Sequence, residues 1–252
     1  MSRTFLGQNF LINEKFQQKI VNYFKPTNGF MEIGPGKAAL TKHLKGRYKD
    51  FYVLEKDRKL AEMHLKNSEY KTIVGDFLDW DFKIQNEPVQ NFSLIGNLPY
   101  ESGSAMLLKI SEKADQINHF VFLLQKEVVE RICAKPKTSD FASFSVFVQG
   151  QFEVEALDII PPECFDPSPK VFSQIVRGKR RETGRHPLDI EFQKFLKRSF
   201  LHKRKTARNA WKSFIDVEKI DQLFEKFNLP PTTRAEEIDL DLWPKLFAEL
   251  KA

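Results

Sequence analysis

Asn97-Leu98-Pro99-Tyr100 stands directly after the apolar run Phe92-Ser93-Leu94-Ile95-Gly96. At the end of a strand, these four residues suit one demanding task, the holding of an aromatic amine. The lone pair of an adenine exocyclic amine is delocalised into the ring, so attack on a sulfonium methyl requires that nitrogen to be gripped and partly rehybridised. The Asn97 side-chain oxygen and the Leu98 carbonyl can each accept one of its two hydrogens, Pro99 stiffens the turn, and Tyr100 can stack on the base. No strong general base is then obligatory. A Pro-Tyr turn after a strand is common, whereas the whole string in this register is not.

Three further positions point to the same place. Glu32-Ile33-Gly34-Pro35-Gly36 follows one apolar run and precedes a helical pattern, so its glycines sit where a strand turns sharply and a ligand approaches backbone. Alone, this fits an ordinary glycine turn equally well. It is not a phosphate loop, since the Lys-Ser/Thr ending is missing, and it lacks the full Gly-x-Gly-x-x-Gly spacing. Glu55 ends the next run about 20 residues later, where an acid can accept both hydroxyls of a ribose. Asp76 ends the third run and is placed to accept from an adenine amine. Each acid by itself could be a helix cap or a surface residue; three in order at strand ends imply one crevice for an adenosine-containing cofactor.

The elements that must position these residues alternate through the first two thirds of the chain. Short apolar runs at Phe30–Ile33, Phe51–Leu54, Thr72–Val74, Phe92–Ile95 and Phe120–Leu124 are separated by helix-compatible stretches near Glu14–Phe24, Ala39–Leu44, Arg58–Asn67, Ala105–Ile110 and Lys126–Cys133. That is the pattern of an α/β fold with a doubly wound parallel sheet. Beyond Ser143, strands are expected at Phe144–Val148, Phe152–Leu157 and Val171–Val176, closing the sheet with an antiparallel C-terminal hairpin. After Gly178–His186 only helical patterns follow. The expected division is residues 1–180 for the α/β domain and 187–252 for a small all-helical domain.

The net charge of +6 is unevenly spread. Arg177 to Arg185 holds five basic residues and one acid, and Lys194 to Arg208 holds seven basic residues and no acid. An acid-free basic run self-repels unless a polyanion offsets it, which favours a nucleic-acid backbone over a merely solvated face. Arg177, Lys179, Arg180 and Arg181, with Lys203, Arg204, Lys205 and Arg208, are the candidate RNA-binding cations. Phe195, Leu196, Phe200 and Leu201 recur at helical spacing as a face packed on protein rather than on a membrane. No window reaches the ~20 apolar residues of a membrane span, and Met1–Asn9 lacks a secretory core, so a cytoplasmic chain of one large core and one appendage is expected. Cys133 and Cys164 are too few and too far apart for a metal cluster, and no metal is expected.

Taken together, Gly7-Gln8-Asn9-Phe10-Leu11, Glu32-Ile33-Gly34-Pro35-Gly36 with Ala38-Ala39-Leu40-Thr41, Asn97-Leu98-Pro99-Tyr100, Leu124-Gln125-Lys126-Glu127-Val128 and Phe165-Asp166-Pro167-Ser168-Pro169-Lys170-Val171 resemble, in order and spacing, the KsgA-type ribosomal RNA adenine dimethyltransferases, whose relatives include the Erm resistance enzymes. The resemblance spans nearly the whole chain. It implies a Rossmann-like methyltransferase sheet and S-adenosylmethionine as cofactor, contacted by Asn9, Leu11, Gly34, Glu55 and Asp76, with Asn97 reaching both cofactor and base. Asn97, Leu98, Pro99 and Tyr100 would hold the target adenine, and Phe165 would clamp it against Tyr100. Arg204-Lys205-Thr206-Ala207-Arg208-Asn209 and Arg234-Ala235-Glu236-Glu237-Ile238 are more similar to the housekeeping branch than to Erm. The implied substrate is two adjacent adenosines in the terminal hairpin loop of small-subunit ribosomal RNA or its assembly intermediate, and the implied state is a monomer.

This chain departs from the family pattern in having Glu101-Ser102-Gly103 where Asn-Ile-Ser is usual, Phe144-Ser145-Val146 for Leu-Ser-Val, and Phe172-Ser173 for Asp-Ser. The competing expectations are a non-catalytic RNA-binding assembly factor, an Erm-like large-subunit enzyme, a DNA adenine methyltransferase and a nicotinamide dehydrogenase. The last leaves Asn97-Leu98-Pro99-Tyr100 unexplained.

Overall fold

The structure, a computed structural model, describes residues 8–26, 29–48, 50–183, 185–202 and 204–251. Gly7 and Lys203 lie outside the described residues. The chain divides into two compact units, one formed by Met1–Val129 with Val154–Arg180 and the other by Glu130–Glu153 with Arg181–Ala252.

In the first unit, β1 (Phe10–Leu11) leads to α1 (Glu14–Tyr23), β2 (Phe30–Ile33), α2 (Thr41–Leu44), β3 (Phe51–Glu55), α3 (Arg58–Leu65) and β4 (Lys71–Val74). A small hairpin follows, β5 (Lys83–Ile84) with β6 (Glu87–Pro88), and then β7 (Phe92–Asn97), α4 (Gly103–Glu112) and β8 (Ile117–Gln125). Later strands are β9 (Phe152–Ile160), β10 (Phe165–Asp166) and β11 (Ser173–Arg180). The seven-stranded sheet has the order β4-β3-β2-β7-β8-β11-β9. β2 pairs in parallel with both β3 and β7, β3 with β4 and β7 with β8, while β11 runs antiparallel to β8 from Ser173↔Gln125 to Lys179↔His119. The central strands β2 and β3 are buried throughout, which is why they read as continuous apolar runs and not as alternating ones.

Chain order reverses between β2 and β7, and in such sheets the ligand crevice opens beyond the carboxyl ends of those two strands. Gly34 follows β2 and Asn97 closes β7, so the sheet places both at that opening. Beneath them Phe30, Val53, Ile95, Val121 and Leu123 form part of the core. α1 starts at its cap Asn13, whose side chain accepts from Phe16 N, and α3 at Asp57, whose carboxylate accepts from Lys59 N and Leu60 N.

The second unit contains α6 (Ser143–Gln149), α7 (Ile190–Ser199), α8 (Ala207–Trp211), α9 (Val217–Lys226) and α10 (Trp243–Lys251), preceded by α5 (Lys126–Cys133), which begins in the first unit. Its core is aromatic: the Phe195 ring lies 5.7 Å from Trp211, 5.8 Å from Trp243 and 5.8 Å from Phe247 between centroids. Trp211 is fully buried and donates through Nε1 to Ser199 Oγ at 2.9 Å. Among the described residues no helix is long and apolar enough to cross a membrane.

Three sequence expectations are corrected. Phe144–Val148 is the body of helix α6 and not a strand: Ser145 Oγ accepts from Ala142 N at 3.0 Å and Val146, Phe147 and Val148 are all buried, so an apolar run enclosed on several sides carried no period to tell helix from strand. The segment around α6 belongs with the helical unit, because Gln149 Nε2 donates to the carbonyls of Ile132 and Ala134 at 2.7 Å each and Lys137 N donates to Glu236 O at 2.7 Å. Leu201 does not join the packed face, since α7 ends at Ser199 and leaves Leu201 71% exposed.

Candidate functional site

The glycine turn after β2 is built on left-handed backbone, with φ of +64° at Gly34 and +54° at Gly36. Gly34 N donates to Leu54 O at 2.9 Å, continuing the ladder one residue past the strand. Gly36 N donates to Glu55 Oε2 at 3.0 Å and Asp57 N to Glu55 Oε1 at 2.9 Å. The Glu55 carboxylate, 2% exposed, is therefore fixed by two main-chain donors. Each of its oxygens retains a second lone pair for a ligand.

One strand further out, Asp76 Oδ1 accepts from Leu78 N at 2.9 Å and Oδ2 from Lys56 Nζ at 2.6 Å. Burial works to raise its carboxyl, but the Lys56 hydrogen bond and charge with the Leu78 amide outweigh it and hold the group below the ordinary carboxylate value. Glu32, at the end of β2, behaves oppositely. Burial pushes it up to about 8 against the lowering effect of the Thr41 hydroxyl, which donates to Oε2 at 2.7 Å, and the charge of Glu55 adds to the rise.

The Asn97 amide nitrogen donates to the backbone carbonyl of Asn9 at 2.9 Å. A carbonyl can only accept, so this contact fixes which way the amide faces and leaves Oδ1 as the free acceptor. Leu98 N donates to Leu123 O at 3.1 Å, and the Pro99 carbonyl accepts from Ser102 and Gly103, which folds the loop tightly into α4. Close packing behind the loop requires the glycine that precedes it: a Cβ on Gly96 would lie 2.6 Å from the Ile33 carbonyl oxygen. The Tyr100 hydroxyl is 2.5 Å from Ser173 Oγ, and burial, partly countered by that bond, keeps the phenol above its usual value and neutral.

These residues share one cleft of about 360 Å³, lined by Asn9, Leu11, Gly34, Glu55, Asp76, Asn97, Leu98, Pro99 and Tyr100 together with Glu32, Lys56, Phe10 and Glu101. Its size suits a small organic ligand. A Cβ added at Gly34 or Gly75, both in the lining, meets no described atom within 4 Å, so the turn and the end of β4 face open space that a cofactor would fill.

Not every expected residue arrives there. Phe165 is 3% exposed and absent from the lining: the pairing of β10 with β1 sets it opposite Leu11 and turns its ring into the core cluster. Sequence reasoning passed over Lys56 and Glu32. The signal for Lys56 was the register Glu55↔Val74, which places residues just past the ends of β3 and β4 side by side.

The model of the family described as "Ribosomal RNA adenine dimethylase" matches residues 1–252. The chain belongs to this family. Among its relatives, the "Ribosomal RNA small subunit methyltransferase A" of Malacoplasma penetrans is 36% identical over 244 residues, covering 96% of this chain and 89% of that protein, and the protein of the same name from Neisseria gonorrhoeae is 36% identical over 245 residues, covering 94% and 92%. The fold is that of a dimethyladenosine transferase from Plasmodium falciparum (TM-score 0.79, 20% identity, 96% of this chain and 97% of that one) and of the 23S rRNA methyltransferase ErmE (TM-score 0.70, 20% identity, 97% and 100%). Membership in the adenine dimethylase family makes the chain an S-adenosylmethionine-dependent methyltransferase that acts on adenine in ribosomal RNA.

The candidate RNA-binding cations of this dimethylase fall into two groups. In the first unit, Arg177 pairs with Glu155, and Arg180 donates to Asn91 Oδ1 and to the Asp115 carbonyl at 2.7 Å each. In the second, Arg181 pairs with Asp241 at 3.2 Å and Arg208 forms a two-point ion pair with Asp221 at 2.8 and 3.0 Å. Lys179, Arg204 and Lys205 are exposed, and Lys203 lies outside the described residues.

Proposed function

We propose that this chain dimethylates the exocyclic amines of two adjacent adenosines in the terminal hairpin loop of small-subunit ribosomal RNA, acting as a cytoplasmic monomer on that RNA or its assembly intermediate. The small-subunit name carried by relatives at 36% identity supports the choice of RNA. The orientation of the Asn97 amide carries the chemical reading: with an Nδ2 hydrogen committed to Asn9, Oδ1 is left to accept from the target.

Gly34, Glu55, Asp76, Asn9 and Leu11 would hold the cofactor, which when bound supplies an electrophilic methyl group on a sulfonium. Glu55 would accept from the ribose hydroxyls with its remaining lone pairs, and Asp76 would offer its carboxylate to the adenine edge. Asn97 Oδ1 and the Leu98 carbonyl would accept hydrogen bonds from the two amine hydrogens of the substrate, turning the nitrogen lone pair toward the cofactor; as the methyl left the sulfonium sulfur, which would remain as a thioether, one amine proton would pass to water. Tyr100, tethered by Ser173, stacks on the extruded base. Phe165 serves this arrangement from behind, packing against Leu11. Arg204 and Lys205 contact RNA phosphates.

Mass spectrometry of ribosomal RNA from cells with and without the protein tests the reading. Two dimethylated adenosines at the end of small-subunit RNA should vanish without it. Loss of methylation from large-subunit RNA, or no loss at all, would overturn it.

A further inference from the structure

His64, in the last turn of α3, is 1% exposed, does not line the cleft, and has no part in the chemistry above. Its neighbour one turn earlier on the same buried face is Ala61, an ordinary packing residue. A buried imidazole costs free energy unless both ring nitrogens are satisfied, and here both are. Nε2 lies 2.9 Å from the Gly36 carbonyl oxygen and Nδ1 2.9 Å from the Tyr70 hydroxyl. The carbonyl can only accept, so Nε2 bears the hydrogen and donates it, and Nδ1 receives the hydroxyl of Tyr70. Burial, then the charges of Glu32 and Glu69, hold the Tyr70 phenol above its ordinary value, so it keeps that proton.

Gly36 is consequently held in both of the peptide units that flank its Cα. Glu55, from the end of β3, takes its N–H, and His64, from the end of the following helix, gives a hydrogen to its carbonyl. Its left-handed conformation is set by two side chains that act from one strand–helix unit.

We propose that His64 is a positioning residue for S-adenosylmethionine: by holding the Gly36 carbonyl it keeps the Pro35–Gly36–Lys37 turn in the shape that receives the cofactor, with Tyr70 fixing the ring. The inference rests on the reading of the strand-end cleft as the cofactor site. It adds a residue from behind that site.

Calorimetric titration of the purified full chain with S-adenosylmethionine, beside steady-state kinetics, tests it. His64→Leu should raise the Kd and KM for cofactor roughly three- to tenfold, the worth of one such hydrogen bond, while kcat at saturating cofactor changes less than twofold. His64→Gln brings an amide N–H to the place of Nε2 and should restore most of the affinity. His64→Asn reaches only as far as Nδ1 and should not. Unchanged affinity in folded His64→Leu, or His64→Gln as weak as His64→Leu, overturns the proposal; so does a lower melting temperature in every variant with affinity intact. Glu55→Ala separates the two readings. If it weakens binding and His64→Leu does not, only the role of His64 fails, whereas if neither does, the cleft itself is misassigned and the proposal falls with it.

Discussion

The cleft at the strand ends and the helical unit hold their polar groups in opposite ways. In the cleft the three polar side chains that end the strands are locked to main chain: Glu55 to Gly36 and Asp57, Asp76 to Leu78, Asn97 to Asn9. In the helical unit the fixed parts are aromatic rings around Phe195, and charges are either paired with each other, as Arg208 is with Asp221, or left exposed, as Arg204 and Lys205 are. Methyl transfer depends on the placement of single atoms, whereas attraction to a phosphate backbone falls off slowly with distance and tolerates loose side chains.

The sharpest way to break this contrast is Asn97→Ala. It should lower kcat at least about a hundredfold, as loss of a transition-state acceptor does, with cofactor affinity changed less than about twofold. Near-normal turnover would sink the proposed role. Glu55→Ala should weaken cofactor binding by roughly 1.5–3 kcal/mol through the loss of charged hydrogen bonds, read by calorimetry; an unaltered Kd would remove the ribose contact. For the loosely held charges, Arg204→Ala with Lys205→Ala should reduce the slope of log RNA affinity against log salt by about 0.7–0.9 per lost phosphate contact and leave cofactor binding and the melting temperature alone. An unchanged slope would move the RNA path elsewhere. Arg208→Ala should instead lower the melting temperature, since it strips Asp221 of its partner.

The smallest effect concerns Glu32. Its folded-state value near 8 lies above its ordinary 4.5, so the native chain holds a proton that the unfolded chain has released, and stability declines as pH rises from about 4.5 to about 8. Glu32→Gln keeps an acceptor for Thr41 and removes that decline. Thermal melts at pH 6 and pH 8 should show the variant gaining at least about 1 kcal/mol on the wild type at the higher pH; parallel curves would show that Glu32 ionises normally.

The parallel strands and the residues that end them were legible because a buried strand has a short apolar signature and the crevice of such a sheet sits at known ends. Glu55, Asp76 and Asn97 could be named on that ground alone. Helix α6 was hidden because Phe144–Val148 offers β-branched and aromatic residues with no polar face. The bond from Asn97 to Asn9 spans 88 residues and runs to a backbone atom, so no side-chain pattern announces it. Charge counting located Arg180 and Arg181 but could not show that both are engaged in holding their own units together.

The bond between Asn97 and Asn9 also ties the site to segments far apart in the sequence. The carbonyl that orients the amide precedes β1, a two-residue strand whose ladder partner, Phe165–Asp166, is made more than 150 residues later. A chain cut before Phe165 would contain every strand from β2 to β8 and still lack the ladder partner of β1. The aim of the Asn97 amide therefore hangs on a ladder of two residues a side, whose strands come from distant parts of the sequence.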